Sequence, residues 1–480
     1  RSVLAQGYAR LEYLVMDGGS TDGTLRVLEK YRGHINWISE PDRGTAHAVN
    51  RGVARTKGSI VAWLSADDTF LPGAVAAAVR AFQEHPEAMI QTAEGQPLVT
   101  GDYWFWEPHG KTYSLDPTHP LGEAFYRQLG EAIRSYGCVY WKNDFQANLL
   151  RTDAVQHDRE TTTGVPTYLK AVRAYREGAG PTVAHMACNA ALNPIAGLCD
   201  AAWTHADLGN PGGRWDWLRS FWRDFNCRAH VTGKFYWSDP DYLQVGQGTP
   251  SENRVRMAFV VFGGGPMFLS DRLPELPADK LELIKQCLPA VGPSATPLDL
   301  FTYETYPQVM HLPVQAAWGS WHLLGLFNLD ERPDKVTVNL GDLGLEPGRE
   351  YVIFDYFRHK LVGRVRGLDG AEVLLRYPLP ATDVAVLRVT PVQTRPFVIG
   401  TDLHLAQGAV ELQQVRWDEQ TLTLSGQATR PPGTAGHLYV HVPAGYTASG
   451  GLQMAPDRVA AVPLQFAAPT MTWQIQFTRR

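Results

Sequence analysis

"CVYWKNDF", residues 138 to 145, reads as a buried strand that ends in Lys142, Asn143 and Asp144. A short apolar run bounded by polar residues fits a strand covered on both faces. Before it, "LGEAFYRQLGEAIRSYG" (121–137) sets apolar residues at helical spacing, and "LKAVRAYREGAG" (169–180) does so after it. Further apolar runs end in polar residues at "TVAHMACNAAL" (182–192), "GLCDAAWTHAD" (197–207), "KFYWSDPDYLQVG" (234–246) and "RMAFVVFGGGPMFLSD" (256–271). Repeated strand and helix units of this length, with "PLVTGDYWFW" (97–106) as a strand ahead of them, predict a (β/α) barrel. In such a barrel the chemistry sits at the carboxyl ends of the strands.

Both flanks have a different texture. Toward the amino terminus, "LEYLVMD" (11–17), "HINWISEPDRG" (34–44) and "SIVAWLSADD" (59–68) read as strands separated by helices, the signature of a parallel α/β sheet. Asp17 and the pair Asp67 and Asp68 stand at strand ends, where ligands of open sheets bind. Carboxylates there suit a sugar hydroxyl or a divalent cation carrying a diphosphate, and equally suit caps and acidic turns. Toward the carboxyl terminus, "WHLLGLFNL", "KVTVNL", "REYVIFDYF", "AEVLLRYPL" and "VAVLRVT" follow one another as short strands with Gly and Pro turns, which indicates a β-sandwich. "AVELQQVRWDEQTLTLSGQA" and "GHLYVHVPAGYT" continue that pattern. The fold class is therefore α/β plus β, with segments 1–92, 93–304 and 305–480.

Composition narrows the partners. Charged residues are 19% of the 480, the net charge is −5, and 14 tryptophans help bring aromatics to 11%, so a neutral small molecule is expected rather than nucleic acid. No apolar stretch reaches the roughly 18 residues of a membrane span. Five cysteines without zinc spacing indicate neither a disulfide framework nor a metal knuckle, and point to a reducing, cytoplasmic compartment.

Motifs in both of the first two segments resemble known families. "VMDGGSTDGT", "SEPDRGTAHAVNRG" and "LSADDTFLPGA", in this order, resemble the family 2 glycosyltransferases of the GT-A fold over about the first 90 residues. The resemblance places Asp17 and Asp22 in the nucleotide-sugar loop and Asp67 with Asp68 at the metal and diphosphate motif, with Mn or Mg as the cation. The family's opening strand and its acceptor half have no counterpart, so this Rossmann-like unit is partial.

From about residue 97 the chain resembles the family 36 glycoside hydrolases, α-galactosidase-like enzymes of clan D, through "WKNDF", "CNAALNPIAGLCDAAWTHAD", "WSDPDYLQVG" and "GGGPMFLSD". Asp207 follows Asp144 by two βα units of roughly 30 residues each, which returns it to the same rim. The resemblance makes Asp144 the nucleophile and Asp207 the acid/base of a retaining double displacement that uses no cofactor. Lys142 falls on the lysine that touches the sugar, and its charge would keep Asp144 ionised. Trp104, Asp200, Trp203, Asp239 and Asp241 complete the expected substrate-binding set, although Asp200 also reads as a supporting residue. Trp203 stands where the family commonly has an arginine, and replacing a guanidinium by an indole changes which sugar fits. The first two barrel strands have no counterpart, so the TIM barrel is expected to be incomplete. Oligomers are common in the family.

Other residues read as structural. His185 and His205 suit hydrogen-bonded framework histidines, half or more of the tryptophans suit core positions, and Asp116 suits a helix-start cap. "GGGP" (263–266) suits close backbone packing. The join near residues 90–97 carries no Pro/Ser/Gly-rich linker, so a truncated or mis-joined reading frame is one expectation and a natural fusion another. Three functions follow: an α-glycosidase fused to a glycosyltransferase fragment, a glycosyltransferase using a nucleotide sugar, and an inactive carbohydrate-binding remnant.

Overall fold

In the computed structural model, strand β1 (Leu14–Asp17) lies parallel to β2 (Asn36–Ser39), with Leu14 opposite Asn36, and helix α1 (Thr24–Glu29) connects them. The structure describes all residues except 43–44, 59–60, 65–68, 71, 85, 103–110, 161–162, 206, 209–214, 303–304, 369–371, 450–451, 453 and 480. Contacts divide the chain into two units, Arg1–Leu198 and Cys199–Arg480.

In the first unit, α2 (Thr45–Val53) packs on β1 through Gly52, where a Cβ would stand 3.0 Å from Met16 Cγ. The expected third strand differs from its reading: residues 61–64 form no strand, and Val61 and Trp63 are 40% and 61% exposed. A parallel strand needs cover on both faces, which these side chains do not have. Helix α3 (Ala74–Glu84) begins where the Val75 amide donates to the Gln6 side chain at 3.1 Å.

Next, β3 (Val99–Asp102) pairs with β4 (Lys111–Tyr113) in the antiparallel sense, not as the parallel barrel strand expected of "PLVTGDYWFW". The link between them is shorter than the dozen or more residues of a parallel crossover. Helix α4 (Pro120–Ser135) is capped by His119, whose Nδ1 accepts the Leu121 amide at 3.2 Å. Asp116, read as that cap, instead holds a buried turn, accepting the Thr118 amide (2.8 Å), the Thr118 hydroxyl (2.7 Å) and the His157 amide (2.6 Å).

Strand β5 (Tyr140–Asn143), α5 (Gly164–Ala179) and β6 (Ala184–Ala187) form a βαβ unit with β5 parallel to β6. Helices α4 and α5 meet at two glycines: a Cβ on Gly130 would lie 2.0 Å from the Tyr175 carbonyl oxygen, and one on Gly178 2.0 Å from that of Arg127. Only a bare backbone fits this crossing.

In the second unit, β7 (Ala201–Ala202), α6 (Trp215–Cys227) and β8 (Trp237–Ser238) repeat the motif, with β7 parallel to β8. Then β9 (Tyr242–Leu243), α7 (Pro250–Gly263) and β10 (Phe268–Leu269) repeat it again, with β9 parallel to β10, and α8 (Ala278–Lys285) follows. Helix α7 is buried from Val255 to Gly263. Thr249 and Glu252 have the spacing of a capping box, and the Thr249 hydroxyl accepts the Glu252 amide at 3.2 Å. Replacing Thr249 by Ala should cost about 1 kcal/mol; an unchanged denaturation midpoint would show that the helix start is held by packing alone. The glycines after α7 permit close approach. A Cβ on Gly264 (φ +65°) would sit 2.6 Å from the Gly292 carbonyl oxygen, and one on Gly265 (φ +73°) 2.8 Å from that of Ser238.

The rest is antiparallel. Strands β11 (Thr296–Pro297), β12 (Val309–Ala316), β13 (Gly319–Asn328), β14 (Asp334–Asn339), β15 (Glu350–Asp355), β16 (Lys360–Arg366), β17 (Leu374–Leu379) and β18 (Asp383–Pro391) make a six-stranded sheet in the order β11-β12-β13-β18-β15-β16 and a β14-β17 ribbon. Period-two patterning gives the large sheet two apolar faces. Trp321, Leu323, Phe327, Val384 and Val386 pack with α7 residues such as Phe259 and Phe262, whereas Leu324, Leu326, Ala385, Leu387 and Val389 pack with Val336, Val338 and Tyr377 of the ribbon.

A second β layer pair follows, built from β19 (Phe397–Thr401), β20 (Leu412–Asp418), β21 (Thr423–Thr429), β22 (Ala435–His441), β23 (Tyr446–Ala448), β24 (Val459–Gln465) and β25 (Thr470–Arg479). Its sheets run β19-β22-β24 and β20-β21-β25-β23 around Val398, Leu424, Leu438, Val440, Leu464 and Phe477. Where one sandwich was expected after residue 305, two successive β modules stand. Mixed α/β structure followed by antiparallel sheets is the architecture of this chain.

Candidate functional site

Asp144 directly follows β5, and both it and Lys142 are exposed. Its Oδ1 accepts the Phe145 amide at 2.7 Å and the Asn189 side-chain amide at 3.0 Å. The Cys188 thiol donates to the same carboxylate: burial, then the hydrogen bond and charge of Asp144, push that thiol up to about 12 against the opposing charge of Lys142. Cys188 therefore stays protonated at neutral pH and remains a donor. Phe145 (φ 57°) and Asn189 (φ 45°) both adopt the left-handed region, an uncommon conformation for residues with side chains.

Beneath them lies a buried polar chain. The Gln146 amide NH2 donates to the Asn143 carbonyl oxygen at 3.1 Å and lies 3.2 Å from His185 Nε2, while Tyr168 donates its hydroxyl to Gln146 Oε1 at 2.9 Å. Because an amide NH2 only donates, His185 Nε2 accepts, and the histidine is a framework residue as its setting in the sequence suggested. Trp141 and Tyr175 pack against its ring at 5.5 and 5.2 Å. This network fixes the strand end that carries Asp144. Cys188 and Asn189 were not singled out from the sequence; their signal was a polar pair at the end of the neighbouring apolar run.

In the second unit, Asp207 is exposed just beyond β7. Its neighbour Leu208 donates its amide to Asp241 Oδ2 at 2.7 Å, and Asp241 Oδ1 accepts the Tyr242 amide at 2.8 Å. Asp239 in turn accepts the Asp241 amide at 2.8 Å, and the two carboxylates are 0% and 1% exposed. Asp241 sits at φ +66°. The pair expected to touch substrate is thus inside the molecule, anchoring the loop that bears Asp207. Burial pushes the Tyr242 phenol up, with the charges of Asp241 and Asp207 adding to it and Arg256 opposing it, so Asp207 lies within electrostatic reach of that ring.

His205 Nε2 is 2.6 Å from the Asp239 carbonyl oxygen, and Phe221 and Trp203 pack at 4.4 and 5.1 Å from the imidazole. Trp203 is half-buried, Asp200 is exposed, and the Asp200 carbonyl accepts the Trp237 amide at 2.9 Å. Trp222 is a core residue, as part of the tryptophan set was expected to be. Trp104 lies outside the described residues. Asp144 and Asp207 belong to separate units.

At the ends of β1 and β2 a second candidate site is built on Asp17. Its carboxylate accepts the Gly19 and Ser20 amides at 3.1 and 3.0 Å and the Ser20 and Ser39 hydroxyls at 2.6 Å each. Burial pushes this carboxyl up, but the hydrogen bonds outweigh it and hold it below the usual carboxylate range. Three of these bonds fall on Oδ2 and one on Oδ1, so Oδ1 keeps an acceptor site. Asp22 is exposed and accepts the Thr24 amide at 2.8 Å at the start of α1, and its bonds with Thr24 hold it low. A Cβ on Gly18 would lie 2.8 Å from Asp42 Oδ2, so the two strand-end loops pack against each other. Asp67 and Asp68, on which the Mn or Mg expectation rests, lie outside the described residues. Among the described residues no group of three His, Cys, Asp or Glu could hold a metal ion, and no helix is long and apolar enough to cross a membrane.

Comparison with known proteins matches residues 1–135 to the glycosyl transferase family 2 model, further along the chain than the motifs reach. An uncharacterized glycosyltransferase of Mycobacterium tuberculosis is 42% identical over 84 residues, 17% of this chain and 32% of that protein. A chondroitin synthase of Escherichia coli is 39% identical over 77 residues, 15% of this chain and 11% of that protein. The chain spans less than a third of the length of these relatives. Among solved structures, an isomalto-dextranase of Arthrobacter globiformis covers 99% of this chain and 94% of its own at a TM-score of 0.45 and 15% identity. A GH27 β-L-arabinopyranosidase of Geobacillus stearothermophilus covers 59% and 65% at a TM-score of 0.45 and 17% identity, and an α-galactosidase of Mortierella vinacea covers 59% and 73% at 0.42 and 14%.

Proposed function

We propose that this chain processes glycosides, with a glycosyltransferase-like segment (1–92), an incomplete barrel-like glycosidase segment (93–304) and β modules from 305 onward. In the glycosidase segment, Asp144 attacks the anomeric carbon of an α-galactoside or close relative and forms a covalent glycosyl-enzyme. Asp207 gives a proton to the departing oxygen, then takes one from the water that releases the sugar, with net retention. The environment of Asp144 carries this reading. It is an exposed carboxylate at the end of a parallel strand, aimed by Asn189, Phe145 and Cys188. Lys142, one strand position away from Asn143, would bind sugar hydroxyls; Trp104, Trp203 and Asp200 would contribute to the sugar pocket. The test is hydrolysis of p-nitrophenyl α-galactoside by the full chain, followed by NMR. The α-anomer should appear first; initial release of the β-anomer would exclude the double displacement.

Asp241 acts in this scheme as a positioning residue. Asp241→Ala should lower kcat roughly 10- to 100-fold, about 1.4 to 3 kcal/mol, with little change in KM. Asp241→Asn, which keeps one acceptor oxygen, should recover much of the loss. A rise in KM alone, or no rescue by Asn in a folded variant, would contradict that role.

The family match over residues 1–135 favours a second reading, transfer from a nucleotide sugar. Asp17 and Asp22 would shape the nucleotide-sugar crevice, and Asp67 with Asp68 would hold Mn or Mg and the diphosphate. Metal-dependent hydrolysis of a UDP-sugar by the chain would support it, and no UDP-sugar binding with either metal would sink it.

A further inference from the structure

A cleft of about 210 Å³ opens in the second unit where the six-stranded sheet meets the following β module. It is lined by Trp318 in the β12–β13 turn, Trp321 on β13, Arg388 on β18, and Arg416 and Trp417 on β20. Arg349 and Arg395 line it too, so among the described residues four arginines and no acidic residue line the cleft. Several carboxylates stand near these residues: Glu346 pairs with Arg349, Asp418 interacts electrostatically with Arg416, and Glu419 accepts the Trp417 indole N–H at 2.6 Å.

Arg388 is the unusual member. It is 1% exposed, and among the described residues no carboxylate lies within ion-pairing distance. Its Nε donates to the Thr390 hydroxyl at 2.9 Å, Nη1 donates to the Gln407 carbonyl, and the guanidinium stacks 3.9 Å from the Trp321 ring and 5.4 Å from that of Trp318. Glu411 acts on it only from beyond hydrogen-bond range, and burial drives its pKa down to about 9, so it remains charged at neutral pH. The indole N–H groups of Trp318 and Trp321 have no acceptor among the described residues. Burying this guanidinium with no carboxylate in ion-pairing distance is costly, and the exposed Arg395 and Arg416 add positive charge to the cleft it borders.

We infer that this cleft binds an acidic saccharide, its ring against Trp417 and its carboxylate held by Arg395 and Arg416 over the field of Arg388. Guanidinium forks match a carboxylate, and indole faces match the apolar face of a sugar ring. The volume lies below that of a site for a drug-sized ligand, which favours one sugar ring over a nucleotide. None of these residues belongs to the Asp144, Asp207 or Asp17 sites.

The test is titration of the full chain, followed by tryptophan fluorescence and calorimetry, with glucuronic acid, glucose, sodium sulfate and AMP as separate probes. Glucuronic acid should bind at least about tenfold more tightly than glucose or AMP, and R395A/R416A, which alters two exposed side chains, should weaken it at least about tenfold with an unchanged melting temperature. Trp417→Ala should weaken glucuronic acid more than sulfate. Equal binding of glucose, tighter binding of AMP, an unaffected double variant, or sulfate binding as tightly with Trp417→Ala silent toward both anions would each overturn the inference.

Discussion

Asp144→Ala is expected to reduce hydrolysis of an activated α-galactoside by on the order of 10³ to 10⁶, the scale of removing a covalent nucleophile. The carboxylate is exposed and its partners are the ends of three donors, so the truncation leaves no cavity in the core. Full activity in this variant would remove Asp144 from the mechanism. Asp144→Gly with azide should yield a β-glycosyl azide, because the small anion enters from the face the carboxylate vacates. No rescue together with no trapped intermediate would count against a nucleophile at this position. A further readout is independent of turnover. The Cys188 thiol is held up first by burial and next by Asp144, so removing Asp144 should lower its pKa and speed its alkylation at pH 8. Unchanged thiol reactivity would mean that the carboxylate does not touch sulfur.

The strand and helices that frame Asp144 are legible in the sequence. An apolar run that stops at Lys142-Asn143-Asp144 announces a strand end, and β5 ends at Asn143. The spacing of "LGEAFYRQLGEAIRSYG" and "LKAVRAYREGAG" announced α4 and α5, because apolar periodicity is what a helix packed on a sheet must have. The direction of β3 was not visible, since a strand pattern is the same for parallel and antiparallel partners and only the length of the link decides. Nor was the burial of Asp239 and Asp241. An aspartate at a strand end looks alike in sequence whether it faces solvent or accepts a backbone amide, and here the Leu208, Asp241 and Tyr242 amides claimed the oxygens. The Arg388 cleft joins residues from β13, β18 and β20, which no local pattern connects.

The second large effect is on stability in acid, and it centres on His404. This residue is 0% exposed. Its Nδ1 accepts the Ala406 amide at 2.9 Å, and Nε2 lies 3.1 Å from the Pro289 carbonyl oxygen, which can only accept. The ring is therefore the neutral tautomer protonated on Nε2, with both nitrogens engaged. Adding a proton at Nδ1 would break the Ala406 bond and place a charge in the core. Burial, reinforced by Arg430 and opposed by Glu411, pushes the imidazole from its ordinary 6.5 down to about 4. A folded-state value below the unfolded one means that the unfolded chain binds the proton first. The stabilisation is complete above pH 6.5 and is lost as pH falls toward 4, a change on the order of 3 kcal/mol. Denaturant midpoints should therefore fall steeply between pH 6.5 and 4. His311 and His441 are also pushed down to about 4, chiefly by burial, and steepen the same limb. His404→Asn isolates the term: its side-chain oxygen can accept the Ala406 amide and does not titrate, so the variant should be weaker at pH 7 and markedly flatter between pH 6.5 and 4. An identical pH slope in the variant, or an NMR titration of the His404 ring centred near 6.5, would show that this imidazole is reached by water in the folded chain.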